Sequence, residues 1–183
     1  SADDCHNSPC GAGGTCTDLS SRGGAPGQYK CECEAGYHLD ESDPNAPTCK
    51  RQVCGPLETG IANIETLSDG SADVAINTWK GEAVKTDAFT GAPVLRSYDT
   101  ATFTCKYGYS TDGTSALGSK SFQVKCLAHG LMNRPLMPHG ECQPVRCDNW
   151  QRPMIPSSFV TNAKENFYEY GDILDFQCDT GYP

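Results

Sequence analysis

Long apolar runs, basic runs and catalytic signatures are all scarce in this chain, and each absence excludes something. Only 37% of its residues are hydrophobic and only 3 of 183 are Met, too little apolar material for one large core. No stretch approaches the roughly 18 consecutive apolar residues of a membrane-spanning helix. No leader-type segment opens the chain, so Ser1 is expected to begin a processed or excised piece. No basic run exceeds Lys50-Arg51 and the net charge is -9. Nucleic acid and other polyanions are therefore expected to be repelled on average, save at a local basic patch. Nucleophile elbow, G-x-x-x-x-G-K and H-E-x-x-H patterns are missing, and Asp40, Glu41 and Asp43 read as a solvated hairpin tip, so the chain is not expected to be an enzyme. His6, His38, His129 and His139 are scattered without ligand spacing and no paired C-x-x-C knuckles occur, which argues against zinc. No N-x-[ST] sequon is present, so N-linked sugar is not expected.

What the chain does have is 12 Cys, 19 Gly and 12 Pro. An even number of cysteines in a loop-rich chain reads as disulfides standing in for a core, hence an oxidising compartment. Cysteine spacing divides the sequence. Cys5, Cys10, Cys16, Cys31, Cys33 and Cys49 crowd together; after Lys50 to Val53 come Cys54, Cys105, Cys126 and Cys142; after Gln143 to Arg146 come Cys147 and Cys178. The pattern C-x-x-G-Y recurs at Cys33 to Tyr37, Cys105 to Tyr109 and Cys178 to Tyr182. Gly36 suits a turn needing positive φ, and Gln28 to Cys33 alternates as one strand of a hairpin does.

The first group, CHNSPCGAGGTC, then QYKCEC, EAGY and Cys49, resembles an EGF-like module, taken as residues 1–50. That resemblance implies the pairs Cys5 with Cys16, Cys10 with Cys31, and Cys33 with Cys49. The second, SYDTATFTCKYGY, then SFQVKC, Gly130 and Cys142, resembles a sushi (complement control protein) module over 54–142. It implies Cys54 with Cys126 and Cys105 with Cys142. Asp99, Ala101, Phe103 and Cys105 alternate, as do Phe122, Val124 and Cys126, consistent with strands holding one face inward. The family's buried Trp is missing, leaving Leu131 or Met132 nearest its place and an aliphatic core there expected.

Tyr170 to Tyr182 aligns with Ser97 to Tyr109 residue by residue, placing Asp172 on Asp99 and Phe176 on Phe103. This internal repeat makes 147–183 the first half of a second sushi module. Cys147 and Cys178 are then expected to pair with cysteines beyond Pro183; the alternative is that they pair with each other. The fold class expected is all-β, small and disulfide-rich: tandem modules in an elongated array, an EGF-like hairpin module followed by sandwich-like sushi modules.

The interval from Cys54 to Cys105 is 20 residues longer than that from Cys147 to Cys178. The excess falls near 60–96, where DG and TG turn signals flank VAINTW and EAVKTDAF. Trp79 is either an interface anchor or, with Val74 and Ile76, the cover of a small core. Calcium is the cofactor that a resemblance implies: similarity to calcium-binding EGF-like modules implies ligands at Asp3, Asp4 and Asp18, with Tyr29 before Cys31, although Ser1 and Asp4 depart from the family's acidic residues. Thr15 lies where such modules accept O-fucose.

The modular order is similar to that of selectin stalks. It implies an extracellular binding or adhesion ectodomain, a rigid spacer and interaction surface for an extracellular or cell-surface protein, touching a membrane only through other parts of a parent chain. Two alternatives stand beside it: the non-catalytic arm of a complement- or clotting-type protease zymogen, and a structural component assembling through homotypic contacts.

Overall fold

The computed structural model describes residues 4–134, 141–147, 158–162, 164 and 168–180. The fold is nearly all β, small and disulfide-rich. Among the described residues helix is confined to three-residue 3-10 turns at Ser20–Arg22, Trp79–Gly81 and Leu117–Ser119, and none is long and apolar enough to cross a membrane. Short strands follow from frequent Gly and Pro, which stop a ladder before it lengthens.

The chain packs as two compact units, one of Ser1–Thr59, Ala75–Thr102 and Gln123–Pro135, the other of Gly60–Val74, Phe103–Phe122 and Leu136–Pro183. In the first, strand Gly14–Asp18 pairs with Tyr29–Cys33 and strand Tyr37–Asp40 with Thr48–Arg51. Disulfides join Cys5 to Cys16, Cys10 to Cys31 and Cys33 to Cys49. The core here is cystine itself: Cys10, Cys31 and Cys49 are buried, with Tyr29 and Tyr37 packed on them. The hairpin tip holds Asp40, Glu41 and Asp43, where Asp40 and Asp43 accept from the amides of Ser42 and Asn45. Lys50 pairs with Asp40 across the hairpin and, as the leading cause, lowers its pKa from 3.8 to about 2.

The same unit contains a three-stranded sheet with Pro93–Arg96 at its centre, Val53–Pro56 on one side and Lys85–Thr86 on the other. Cys54 sits in a bulge between Val53 and Gly55 and is bridged to Cys126. Leu57, Leu95 and Val124 are buried. The aliphatic core expected at Leu131 or Met132 is not there, because Leu131 is 62% exposed and Met132 only half-buried.

The largest sheet runs in the order Met132–Asn133, Ser121–Cys126, Thr100–Thr104, Val74–Asn77. Its alternation is that of a sheet with one buried face: Ala101 and Phe103 point in, as do Phe122, Val124 and Cys126. Val74 and Ile76 turn their side chains inward on the edge strand.

The second unit is built on Cys105–Cys142, with Ile64 bridging to Cys105 and Phe103 stacked on Phe122 at 5.0 Å. Two-residue ladders pair Tyr109–Ser110 with Gln143–Pro144 and Arg146–Cys147 with Tyr168–Glu169, while Ser158–Val160 pairs with Phe176–Cys178. Phe103 is fully buried, so Phe103→Ala should leave a cavity and cost about 3–5 kcal/mol. Urea unfolding with the disulfides intact checks this; a loss below about 1 kcal/mol would mean the Phe103–Phe122 stack is not the core of this unit.

Candidate functional site

The residues singled out in the sequence do not converge. Asp3 lies outside the described residues. The Asp4 carboxylate accepts from the Gly27 amide at 3.1 Å, and Asp18 accepts from the Ser20 amide and hydroxyl at 2.8 and 2.6 Å. Among the described residues no group of three His, Cys, Asp or Glu side chains is placed to hold a metal ion. Thr15 is exposed on strand Gly14–Asp18, opposite Glu32. Cys147 carries an exposed free thiol, and Cys178, also exposed, lies opposite Ser158. Trp79 is 41% exposed; its amide donates to Asp99 at 2.8 Å and its ring lies 5.1 Å from that of Tyr98.

What the structure does bring together is a joint that sequence reading took for a link. Lys50 to Val53 is not a free connection. The Gln52 amide donates to the Gly36 carbonyl at 2.8 Å, and the Gln52 carbonyl accepts from the Ser97 amide at 2.8 Å. Ser97, buried, turns its hydroxyl to the Gly36 carbonyl as well. Over Gly36, at φ +89, lies the Tyr98 ring, so close that a Cβ would come within 2.5 Å of it. The Tyr98 hydroxyl in turn donates to the Ala35 carbonyl at 2.8 Å. Glycine is needed here twice over, for its backbone angle and for the ring's approach.

Arg51 drives into this joint with its side chain only 4% exposed. Its Nη2 donates to the Asp99 carboxylate at 2.7 Å and to the Ser97 carbonyl, and its Nη1 to Glu82 at 3.1 Å. Asp99, buried too, also accepts the amides of Trp79 and Arg96 at 2.8 and 2.9 Å. A charge removed from water is tolerable only with such pairing, since desolvation costs several kcal/mol per ion.

The second unit repeats the device. The Val145 amide donates to the Gly108 carbonyl at 2.8 Å and the Val145 carbonyl accepts from the Tyr170 amide at 2.9 Å. A Cβ on Gly108, at φ +83, would fall 2.1 Å from the Tyr170 ring, which meets Tyr107 and Tyr109 edge-on at 5.6 and 5.8 Å. The following turn is shared as well: Arg96 donates its amide to Asp99 and Glu169 donates its amide to Asp172, at 2.9 and 2.8 Å.

One loop stands out in the same unit, at the end of the hairpin away from Arg96. Between Thr86 and Pro93, Asp87 Oδ1 accepts from the Thr90 amide and hydroxyl, both at 2.8 Å, and from the Phe89 amide at 3.2 Å. Backbone bonds from Asp87 to Ala92 and from Gly91 to Asp87 close it. Those bonds, led by the Thr90 amide, hold the Asp87 carboxyl below its ordinary range. The tip presents Phe89 at 98% exposure. In the sequence Trp79 reads as either an interface anchor or core cover, and the D-x-x-T-G closing pattern is the signal for this loop.

Compared with known protein-family models and with curated proteins, the chain matches none.

Asp99→Asn would leave Arg51 buried without its nearest counter-charge, and a loss of about 3–5 kcal/mol is expected in urea unfolding. Gly36→Ala should lose more than about 1 kcal/mol, part of it recovered in a Tyr98→Ala background that removes the ring but not the backbone strain. A fully additive double-mutant cycle would show that ring and glycine do not meet.

Proposed function

We propose that the chain is an extracellular recognition segment, an EGF-like module followed by sushi modules, that docks a protein partner through the Phe89 loop. Five disulfides support the oxidising compartment. The observation that carries the reading is the loop itself. A phenylalanine standing in water gains nothing for the fold, yet five residues of chain are hydrogen-bonded to hold it out. An aromatic side chain already fixed in place loses little entropy on entering a pocket, which is what a binding anchor needs. The joints add to this by keeping successive modules from swinging, so the loop keeps its orientation.

Binding of the fluorescently labelled chain to intact cells of its source tests the reading. Phe89→Ala should weaken binding at least about tenfold, as loss of an anchor does, with the melting temperature unchanged to within about a degree because the ring covers nothing. Unchanged binding would remove the loop from the contact. Self-association lost in Phe89→Ala, seen by light scattering, would turn the reading to homotypic assembly.

Acid should loosen the same loop. Because the folded pKa of Asp87 lies below its unfolded value, the carboxylate's contribution is fully present above the unfolded value near 3.8 and fades as pH falls through the lower folded value. Amide exchange at Phe89 and Thr90, measured against a distant strand, should accelerate over that window and not above it.

A further inference from the structure

The base of the hairpin that carries Phe89 forms one wall of a cavity of about 470 Å³, bounded by His38, Lys50, Arg51, Glu82, Lys85 and Arg96. Four of the chain's 14 Lys and Arg meet here around one carboxylate, in a protein of net charge -9. Lys50 is paired with Asp40, and Glu82 is shared by Arg51 and Arg96 at 3.1 and 2.7 Å. Lys85 has no carboxylate partner among the described residues. The Nε donors of both Arg51 and Arg96 are buried without a hydrogen-bond acceptor, a deficit that a native structure fills by some bound group or water.

We propose that this cavity binds one carboxylate of a partner polypeptide, an acidic side chain or a chain terminus, with Glu82 occupying the seat until that group arrives. Glu82 is the internal evidence: its position shows that a carboxylate fits between the two guanidinium groups, whose forks match two oxygens. Glu82 is also half-exposed and set after a short 3-10 turn, so it is free to yield. Tyr37 and Val53 line the same cavity and suit the aliphatic stem of such a side chain. A polysulfated chain suits it less, because each further negative charge along it meets an acidic surface. The choice of a polypeptide as carrier rests on the protein-recognition reading above; the anion seat does not.

The test is a titration of the whole chain, followed by the Nε–Hε resonances of arginine at fixed ionic strength. The probes are acetyl-Gly-Glu-Gly-amide, its Gln counterpart and a heparin-derived hexasaccharide. The Glu peptide should shift the Arg51 and Arg96 signals saturably and the Gln peptide should not. Glu82→Gln, which removes the competing charge from the seat, should tighten binding about threefold or more, and Lys85→Ala should weaken it by a similar factor. Non-saturable shifts, or equal shifts with the Gln peptide, would overturn the proposal. So would Glu82→Gln binding no more tightly while retaining its melting temperature, or tighter binding of the hexasaccharide than of the peptide. Phe89→Ala should leave this titration unchanged, so failure of the Phe89 contact and failure of the anion seat give different results.

Discussion

Gly36 and Gly108 each offer a carbonyl to the amide of a linker residue, and the carbonyl of that linker residue is taken by the turn that follows. These bonds tie each linker to the module before it and to the strand after it. An aromatic ring lies over the glycine face and an Asp caps the turn, so a bend of the linker would break backbone bonds and expose the ring together. The compact units do not follow the cysteine groups of the sequence. Cys54 shares a unit with residues 1–59, and Cys105 shares one with Cys147. The recurrence of C-x-x-G-Y thus has a physical use, because the Gly that permits the turn is also the seat for the next linker.

Much of the scaffold was legible in the sequence, because its determinants are local or covalent. Alternation of Ala101 with Phe103, and of Phe122 with Val124, follows from a period of two and needs no knowledge of partners. Gly36 announced its positive φ. The repeat from Tyr170 announced that Asp172 would do what Asp99 does, and both accept the amide three residues upstream.

The joint was not legible, for reasons that lie in sequence separation and burial statistics. Arg51 meets Ser97 and Asp99, 46 and 48 residues away; no local pattern reports such a contact, and an arginine in a four-residue link is exposed far more often than buried. Phe89 was passed over for a related reason. In a short apolar-poor segment an aromatic residue reads as cover for the core, and only the closed hydrogen-bonding of Asp87 with Thr90 reveals that the ring faces water instead.

The two joints share a backbone but not an electrostatic design. At the first, Asp99 is bound by a guanidinium with almost no solvent around either group. At the second, the matching Asp172 is bound by Lys164, whose side chain is half in water. At the second, the Glu169 amide and then the Lys164 ammonium hold the Asp172 carboxyl below its ordinary range, and the hydrogen bond to Asp172 raises the Lys164 pKa. Salt separates the two joints. An exposed ammonium–carboxylate pair is screened within a Debye length of about 8 Å at physiological ionic strength, whereas a buried pair is screened far less. The first joint therefore holds its charge pairing across ionic conditions, and breaking it is costly because Arg51 has no water to return to. The second relies on its tyrosine contacts and its backbone bonds, and the lysine adds little.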